Sequence, residues 1–444
     1  MVMTNGRMAR VWDMLRTQLW PLPAAAVVVA VILGGALPAL DAAVDDQLPE
    51  GVAVLLFAGG PEAARAVLQT IAGSLITVTS LTFSLTVVTL QLASGQFSPR
   101  LLRTFTSDGF VHATLALFLA TFAFALAVLR SVRTESSQGP SFVPELSVTV
   151  AYALAIASIM SLVLFLAHLT REIRVETMMR RVTGETRDSM DRVFPAGRPA
   201  PPPEPTAESG GVRILCSHSG FLTAANKKAL LQAAVEADAV IRVDREPGSS
   251  LIEGTPFATA WPLAPKPALP PEVSDQLREK INAAIETNSE RTNVQDVGYG
   301  FRQLADVAAR ALSPGINDPT TAMHVLGHLS GLLCRLADRN PGPDLLADDD
   351  GTVRVILAQP GFGDLLELAV GQVRLYGIRD PAVVGRLLFL LQEVSWCDKN
   401  GLYRHQIREQ LERLRGAIDA STYLPAERSR LKDLADAVEN SPNL

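Results

Sequence analysis

Four long apolar runs dominate the first 170 or so residues of the chain, and periodic, more polar segments follow them. The runs extend from Pro21 to Leu40, Val67 to Ala93, Phe110 to Leu129 and Leu146 to Leu169. As a helix rising about 1.5 Å per residue, each is long enough to cross about 30 Å of hydrocarbon. Trp20 stands at the edge of the first run as an interface anchor. The basic segment "RMARVWDMLR" precedes that run and no small-residue cleavage site follows it, so it reads as a retained span.

The second run belongs to a longer helix. Pro61 and Glu62 suit a first turn, while Gly95 and Pro99 mark a stop. Such a helix is about 50 Å long, so it tilts or protrudes from the bilayer. At about 100° per residue, Thr70, Gly73, Ser74, Thr77, Ser80, Ser84 and Gln91 gather on one face, and Thr79, Thr82, Thr86 and Thr89 on the opposite one. Two readings stay open. In one, Thr70, Ser74, Thr77, Ser80, Ser84 and Gln91 line a water-filled path. In the other, both faces are packing surfaces, because small hydroxyl residues let membrane helices approach closely. No charged residue stands in the middle of the helix, where ion and proton pathways usually place one.

The segment "FSPRLLRTFTSDG" after this helix suits either an interfacial segment or a plain connecting loop. His112 and His168 stand near the ends of the third and fourth spans, in boundary positions rather than a proton path.

After the fourth span the helical pattern runs on through "REIRVETMMRRVTGETRDSMDRVF", with Val175, Met178, Met179, Val182 and Met190 as an apolar stripe. This predicts a stalk, ended by the proline-rich linker "PAGRPAPPPEPTAESGG". From Val212 to Pro262 short β-rich runs flank a helix at 226–238, the pattern of a small α+β module. The loop "PGSSLIEGTP" within it reads as a tight hairpin or bulge rather than an anion site.

Beyond Leu269 the pattern is helical almost to the end. "GINDP" at 315–319 recurs as "GIRDP" at 377–381, each between two helical runs, which predicts tandem helix hairpins. Glycine ends one helix, isoleucine packs into the bend, Asp318 or Asp380 caps the next helix, and proline fills its first turn. The first copy alone adds Ser313, Pro314 and Asn317, so Ser313, Asn317 and Asp318 form a candidate ligand loop beside the capping role. The domains expected are a four-helix transmembrane domain (1–175), a stalk and linker (176–211), the α+β module (212–268) and an all-α helix-hairpin repeat domain (269–444).

Composition agrees with a membrane protein: 48% of residues are hydrophobic and only 19% charged. The net charge of −6 and the lack of a basic stripe exclude a nucleic-acid partner. Arg7, Arg10 and Arg16, then Arg100 and Arg103, then Arg171, Arg174, Arg180 and Arg181 all fall on one side of a four-span chain. By the positive-inside rule that side is the cytoplasm, and both termini lie there. Asp45, Asp46 and Glu50 fall on the outside, as do two dissenters, Arg130 and Arg133.

Cys216, Cys334 and Cys397 are far apart in sequence and form no metal-like spacing, so they read as small core residues. His324 and His328 share a helix face but lack a third ligand, and no metal or other cofactor is expected. Arg291, Gln295, Asp296, Tyr299 and Arg302 form a further polar cluster, read as a solvated or intersubunit helix face. There is no nucleophile elbow, P-loop, metal signature or pair of carboxylates on one face, so no catalytic residue and no enzyme activity are expected.

The stretches "SLTFSLTVVTLQLASGQFSPRLLRTF" and "DVGYGFRQLADVAARALSPGINDPTTA", with the four-span pattern, resemble a bacterial family of predicted membrane proteins, domain-of-unknown-function family 2254. The resemblance implies membrane location and a two-part architecture, and carries no catalytic or binding residues. The expectation is therefore an α-helical protein of the bacterial inner membrane with a cytoplasmic region, in contact with the lipid bilayer and forming a homo-oligomer. Its expected role is a channel or transport pathway, with a membrane-anchored sensor or scaffold as the alternative.

Overall fold

The computed structural model describes residues 20–44, 56–96, 108–134, 141–172, 174–197, 205, 211–263, 268–442 and 444. The N-terminal arginines, the segment containing Arg100 and Arg103, and most of the proline-rich linker lie outside the described residues. The chain divides into two compact units, Met1–Thr177 and Met178–Leu444.

The first unit holds four helices long and apolar enough to cross a membrane. They are α1 (Pro21–Val44), α2 (Pro61–Gln96), α3 (Gly109–Leu129) and α4 (Glu145–Glu172). Helix α3 packs against all three others and is the most buried of them. Its alanines leave room for close neighbours, and Phe118 and Phe124 fill the core beside Leu68, Leu75 and Val148. At Gly34 of α1 an added Cβ would lie 2.6 Å from the Cβ of Ala127, so glycine is what permits this approach. Val28, Ile32, Ile159 and Val163 point outward, as apolar side chains do toward lipid.

Polar contacts inside this unit close what hydrocarbon would leave open. Asp41, buried near the end of α1, accepts from the amides of Leu146 and Ser147, both at 3.0 Å, and from the Ser147 hydroxyl at 2.6 Å. It thereby caps α4 from another helix. Thr121 meets Ser158 at 3.3 Å, and Ser161 donates to Thr114 at 3.3 Å, across the α3–α4 contact. His168 reaches Asp108, the cap of α3, at 2.6 Å, a bond between helix ends.

The second unit begins with α5 (Val175–Val193). The chain leaves the helical state at Arg174, between α4 and α5, and from Met178 onward α5 belongs to the second unit. Met178, Met179, Val182 and Met190 are buried, and an added Cβ at Gly300 would come 1.8 Å from the Thr186 hydroxyl. Arg339, 7% exposed, fixes its far end by donating to the carbonyls of Met190 (3.2 Å) and Phe194 (2.6 Å) and pairing with Asp191 (2.7 Å). A guanidinium is well matched to the open carbonyls and negative dipole of a helix C-terminus.

Next come β1 (Val212–Leu215), β2 (Gly220–Ala225), α6 (Lys227–Glu236), β3 (Ala239–Val243), β4 (Ser250–Leu251) and β5 (Pro256–Pro262). Then follow α7 (Pro271–Ala284), β6 (Ile285–Asn288), α8 (Val297–Ala311), α9 (Pro319–Ala337), β7 (Asp344–Ala347) and β8 (Val353–Leu357). Helices α10 (Phe362–Gly377), α11 (Pro381–Cys397), α12 (Arg404–Ala420) and α13 (Pro425–Glu439) complete the unit.

One sheet has the order β1-β5-β3-β8-β7 and a second the order β4-β2-β6. Strands β3 and β8 pair in parallel, Ile241 opposite Val355, and the remaining pairs are antiparallel. The all-α reading of 269–444 is therefore corrected, because β6, β7 and β8 arise there, and the boundary at 268 cuts through both sheets. The reason is physical: a strand of four or five residues becomes one only by pairing, and β8 finds its partner more than 100 residues earlier. Helices α8 to α13 pack on one another, α8 against α9 and α10 and α11 against α9, α12 and α13.

Arg339→Met is expected to lower the unfolding free energy of the second unit by about 2–3 kcal/mol, the scale of lost hydrogen bonds to a charged group. Arg339→Lys is not expected to restore it, because an ammonium lacks the planar fork. Thermal melts of the solubilised chain check both, and an unchanged melting temperature in Arg339→Met contradicts the anchoring role.

Candidate functional site

Helix α2 separates its two hydroxyl faces. Thr79, Thr82 and Thr89 are buried and Thr86 half-buried, turned toward neighbouring helices. Thr70, Ser74, Thr77, Ser80, Ser84 and Gln91 are all exposed. Thr70, Ser74 and Thr77 donate back to the carbonyls of Ala66 (2.7 Å), Ile71 (3.1 Å) and Gly73 (3.2 Å). The hydroxyls of Ser80 and Ser84 make no hydrogen bond among the described residues. Leu81 and Val88, 55% and 47% exposed, interrupt the same face with apolar surface.

The loop before α9 is organised by its own backbone. The Ser313 carbonyl accepts from the amides of Ile316 (3.0 Å) and Asn317 (2.9 Å), and Asn317 adopts the left-handed φ of +50° that asparagine tolerates. Asp318 then caps α9, accepting from the Thr321 amide at 3.0 Å and the Thr321 hydroxyl at 2.5 Å. Those bonds, the hydroxyl's foremost, hold the Asp318 carboxyl below the usual carboxylate range. Asp380 caps α11 through the amides of Ala382 (2.8 Å) and Val383 (3.3 Å). The glycines differ: an added Cβ at Gly377 would meet Val383 at 2.6 Å, whereas Gly315 faces open space.

His328 is engaged by the Thr183 hydroxyl at 3.0 Å, while His324 is exposed on the same helix. Among the described residues no group of three or more His, Cys, Asp and Glu side chains is placed to hold a metal ion. Burial, and then the Cys397 thiol beside it, push the Cys334 thiol up to about 12.

Two stretches singled out separately in the sequence meet at one place. Gly248, from "PGSSLIEGTP", has a φ of +87°, and an added Cβ there would lie 2.0 Å from an Asp296 carboxylate oxygen and 2.6 Å from the Arg291 guanidinium. Arg291 bonds to Asp296 at 2.8 Å and stands 5.3 Å over the Tyr299 ring, while Asp296 also caps α8 through the Tyr299 amide at 2.9 Å. Gln295 joins the edge of β2 by accepting from the Ala225 amide at 3.0 Å.

Asp296 is 4% exposed, and burial pushes its carboxyl up to about 6 against the opposing pull of Arg291. Glu246 is raised by burial and then by the like charges of Asp364 and Asp296. This cluster lies beyond the carboxyl ends of the parallel strands β3 and β8, a usual ligand position in open sheets. Glu246 and Asp364 were not evident in the sequence, because Glu246 lies in the loop after β3 and Asp364 in the first turn of α10, with no shared spacing. Arg302, grouped with Arg291 in the sequence, instead lines a groove of about 650 Å³ with Glu367 and Arg374 of α10.

Asp318→Ala and Asp380→Ala are each expected to lower stability by about 0.5–2 kcal/mol, the size of a lost helix cap. A loss of function in Asp318→Ala without any change in melting contradicts a purely capping role. For Asp296 the folded chain binds the proton more tightly than the unfolded chain. Its contribution to stability is therefore greatest below about pH 4 and is lost as the pH rises through about 6. Asp296→Asn is expected to flatten that part of the stability curve, and an unchanged slope removes this carboxyl as its source.

The family described as "Predicted membrane protein (DUF2254)" matches residues 16–393. The chain is similar to uncharacterised proteins of Mycobacterium bovis and Mycobacterium tuberculosis, each 34% identical over 398 residues, spanning 88% of this chain and 74% of theirs. No solved structure matches it. With four spanning-length helices, a match over most of its length and relatives at this identity, the chain belongs to the DUF2254 family of predicted membrane proteins.

Proposed function

We propose that the protein is a homo-oligomeric, non-enzymatic conduit of the bacterial inner membrane, with both termini in the cytoplasm. The exposed face of α2 lines it, and the second unit assembles or gates it. The observation that carries this reading is the pair Ser80 and Ser84, exposed in mid-span with no partner among the described residues. A hydroxyl facing lipid leaves its hydrogen bonds unmade, whereas one facing water or another subunit does not. Leu81 and Val88 on the same face form apolar constrictions that gate by shedding water. The helix pairs α8–α9 and α10–α11 act as repeated hairpins that carry subunit contacts.

Planar-bilayer recordings of the purified oligomer test this. Wild type is expected to conduct, and Ser80→Leu and Ser84→Leu to assemble but lose conductance. Unchanged currents in those variants remove this face from the pathway.

A second reading, a membrane-anchored sensor, is favoured by the Glu246–Arg291–Asp296 cluster at the carboxyl ends of β3 and β8. It predicts a ligand whose affinity changes as the pH passes through about 6, where Asp296 titrates. Ligand binding with no such dependence counts against it.

A further inference from the structure

Arg130 and Arg133 contradict the charge pattern of the remaining loops, and their surroundings suggest a reason. Between α1 and α3 runs a groove of about 620 Å³, its walls including Val27 and Val31 from one helix and Leu119, Phe122 and Leu126 from the other. Gly34 abuts Ala127, and Val27 and Leu119 line the same groove several residues earlier, so the two helices run parallel along it. From Leu119 to Arg130 the groove follows eleven helical steps, about 16 Å. That is about half of a 30 Å hydrocarbon core, the depth of one leaflet.

The chemistry changes at one end only. Arg130 closes the groove, exposed at the C-cap of α3, and the exposed Arg133 follows three residues later. Neither guanidinium has a hydrogen bond or ion pair among the described residues. At Gly35 the groove is open, and an added Cβ would meet no protein atom within 4 Å. Its neighbour Gly34 is needed for helix packing, but Gly35 is not, and its lack of a side chain keeps the groove clear.

We propose that this groove is a binding site for an anionic phospholipid, with one acyl chain along α1 and α3 and the headgroup phosphate held by Arg130 and Arg133. The length selects an acyl chain in one leaflet, and the exposed guanidinium of Arg130 at the boundary, with the exposed Arg133 three residues further along the chain, selects a phosphate with net negative charge. Guanidinium groups outside the cytoplasmic side then follow from lipid recognition rather than from topology.

The test uses the full-length protein, solubilised with defined lipids, with retained lipid counted by native mass spectrometry. Wild type is expected to retain phosphatidylglycerol in preference to phosphatidylcholine. Arg130→Gln and Arg133→Gln are each expected to reduce that preference by about fivefold, the factor set by one basic residue near a membrane surface. Gly35→Leu is expected to displace the lipid while leaving the melting temperature unchanged. Equal retention of the two lipids by wild type overturns the proposal, as does undiminished retention in Gly35→Leu. Should Gly35→Leu fail to fold, the exposed Arg130→Gln decides alone, and an unchanged preference refutes the site. Efficient disulfide formation between two Gly35→Cys chains also overturns it, because a second copy then covers the groove.

Discussion

In hydrocarbon, a polar group without a partner costs several kcal/mol, and this requirement orders the first unit. Asp41 supplies an acceptor to the open amides of α4, while Thr79, Thr86 and Thr89 return their protons to carbonyls one turn back in α2. Thr121 and Ser158 pair across α3 and α4. Beside the buried Thr82 hydroxyl, the exposed hydroxyls of Ser80 and Ser84 stand out in α2 as groups with no partner among the described residues. That unsatisfied chemistry, rather than any recognisable motif, is the support for the proposed conduit.

The second unit rests on different physics. Its core is a sheet closed by the parallel pairing of β3 with β8, and the helices stack beside it. The buried guanidinium of Arg339 ties the end of α5 to this body, and the Tyr403 hydroxyl donates to the Arg339 carbonyl from the start of α12 at 2.9 Å. Helix α5 is thus a part of the folded unit from Met178 onward.

The Asp296 cluster adds a titratable element to that body. Its carboxyl is buried beside the guanidinium of Arg291, but desolvation exceeds that attraction and the proton is held up to about pH 6. Gly248 is required there because a side chain would collide with the ion pair. The loop and the pair therefore depend on each other, and neither is an isolated surface feature.

The apolar runs, the caps at Asp318 and Asp380 and the two faces of α2 were all legible in the sequence, because each depends on neighbours within a turn or two of the same helix. Hydrophobic length sets a span, and a short carboxylate side chain reaches the amides of the helix it begins. The short strands β6, β7 and β8, the packing of α5, the meeting of Gly248 with Arg291 and Asp296, and the groove ending at Arg130 were not legible. Each is made by groups far apart in the chain, so its energy exists only after other elements have been brought together. Local chemistry determined what the helices are, and long-range packing decided which of their faces remained open to act.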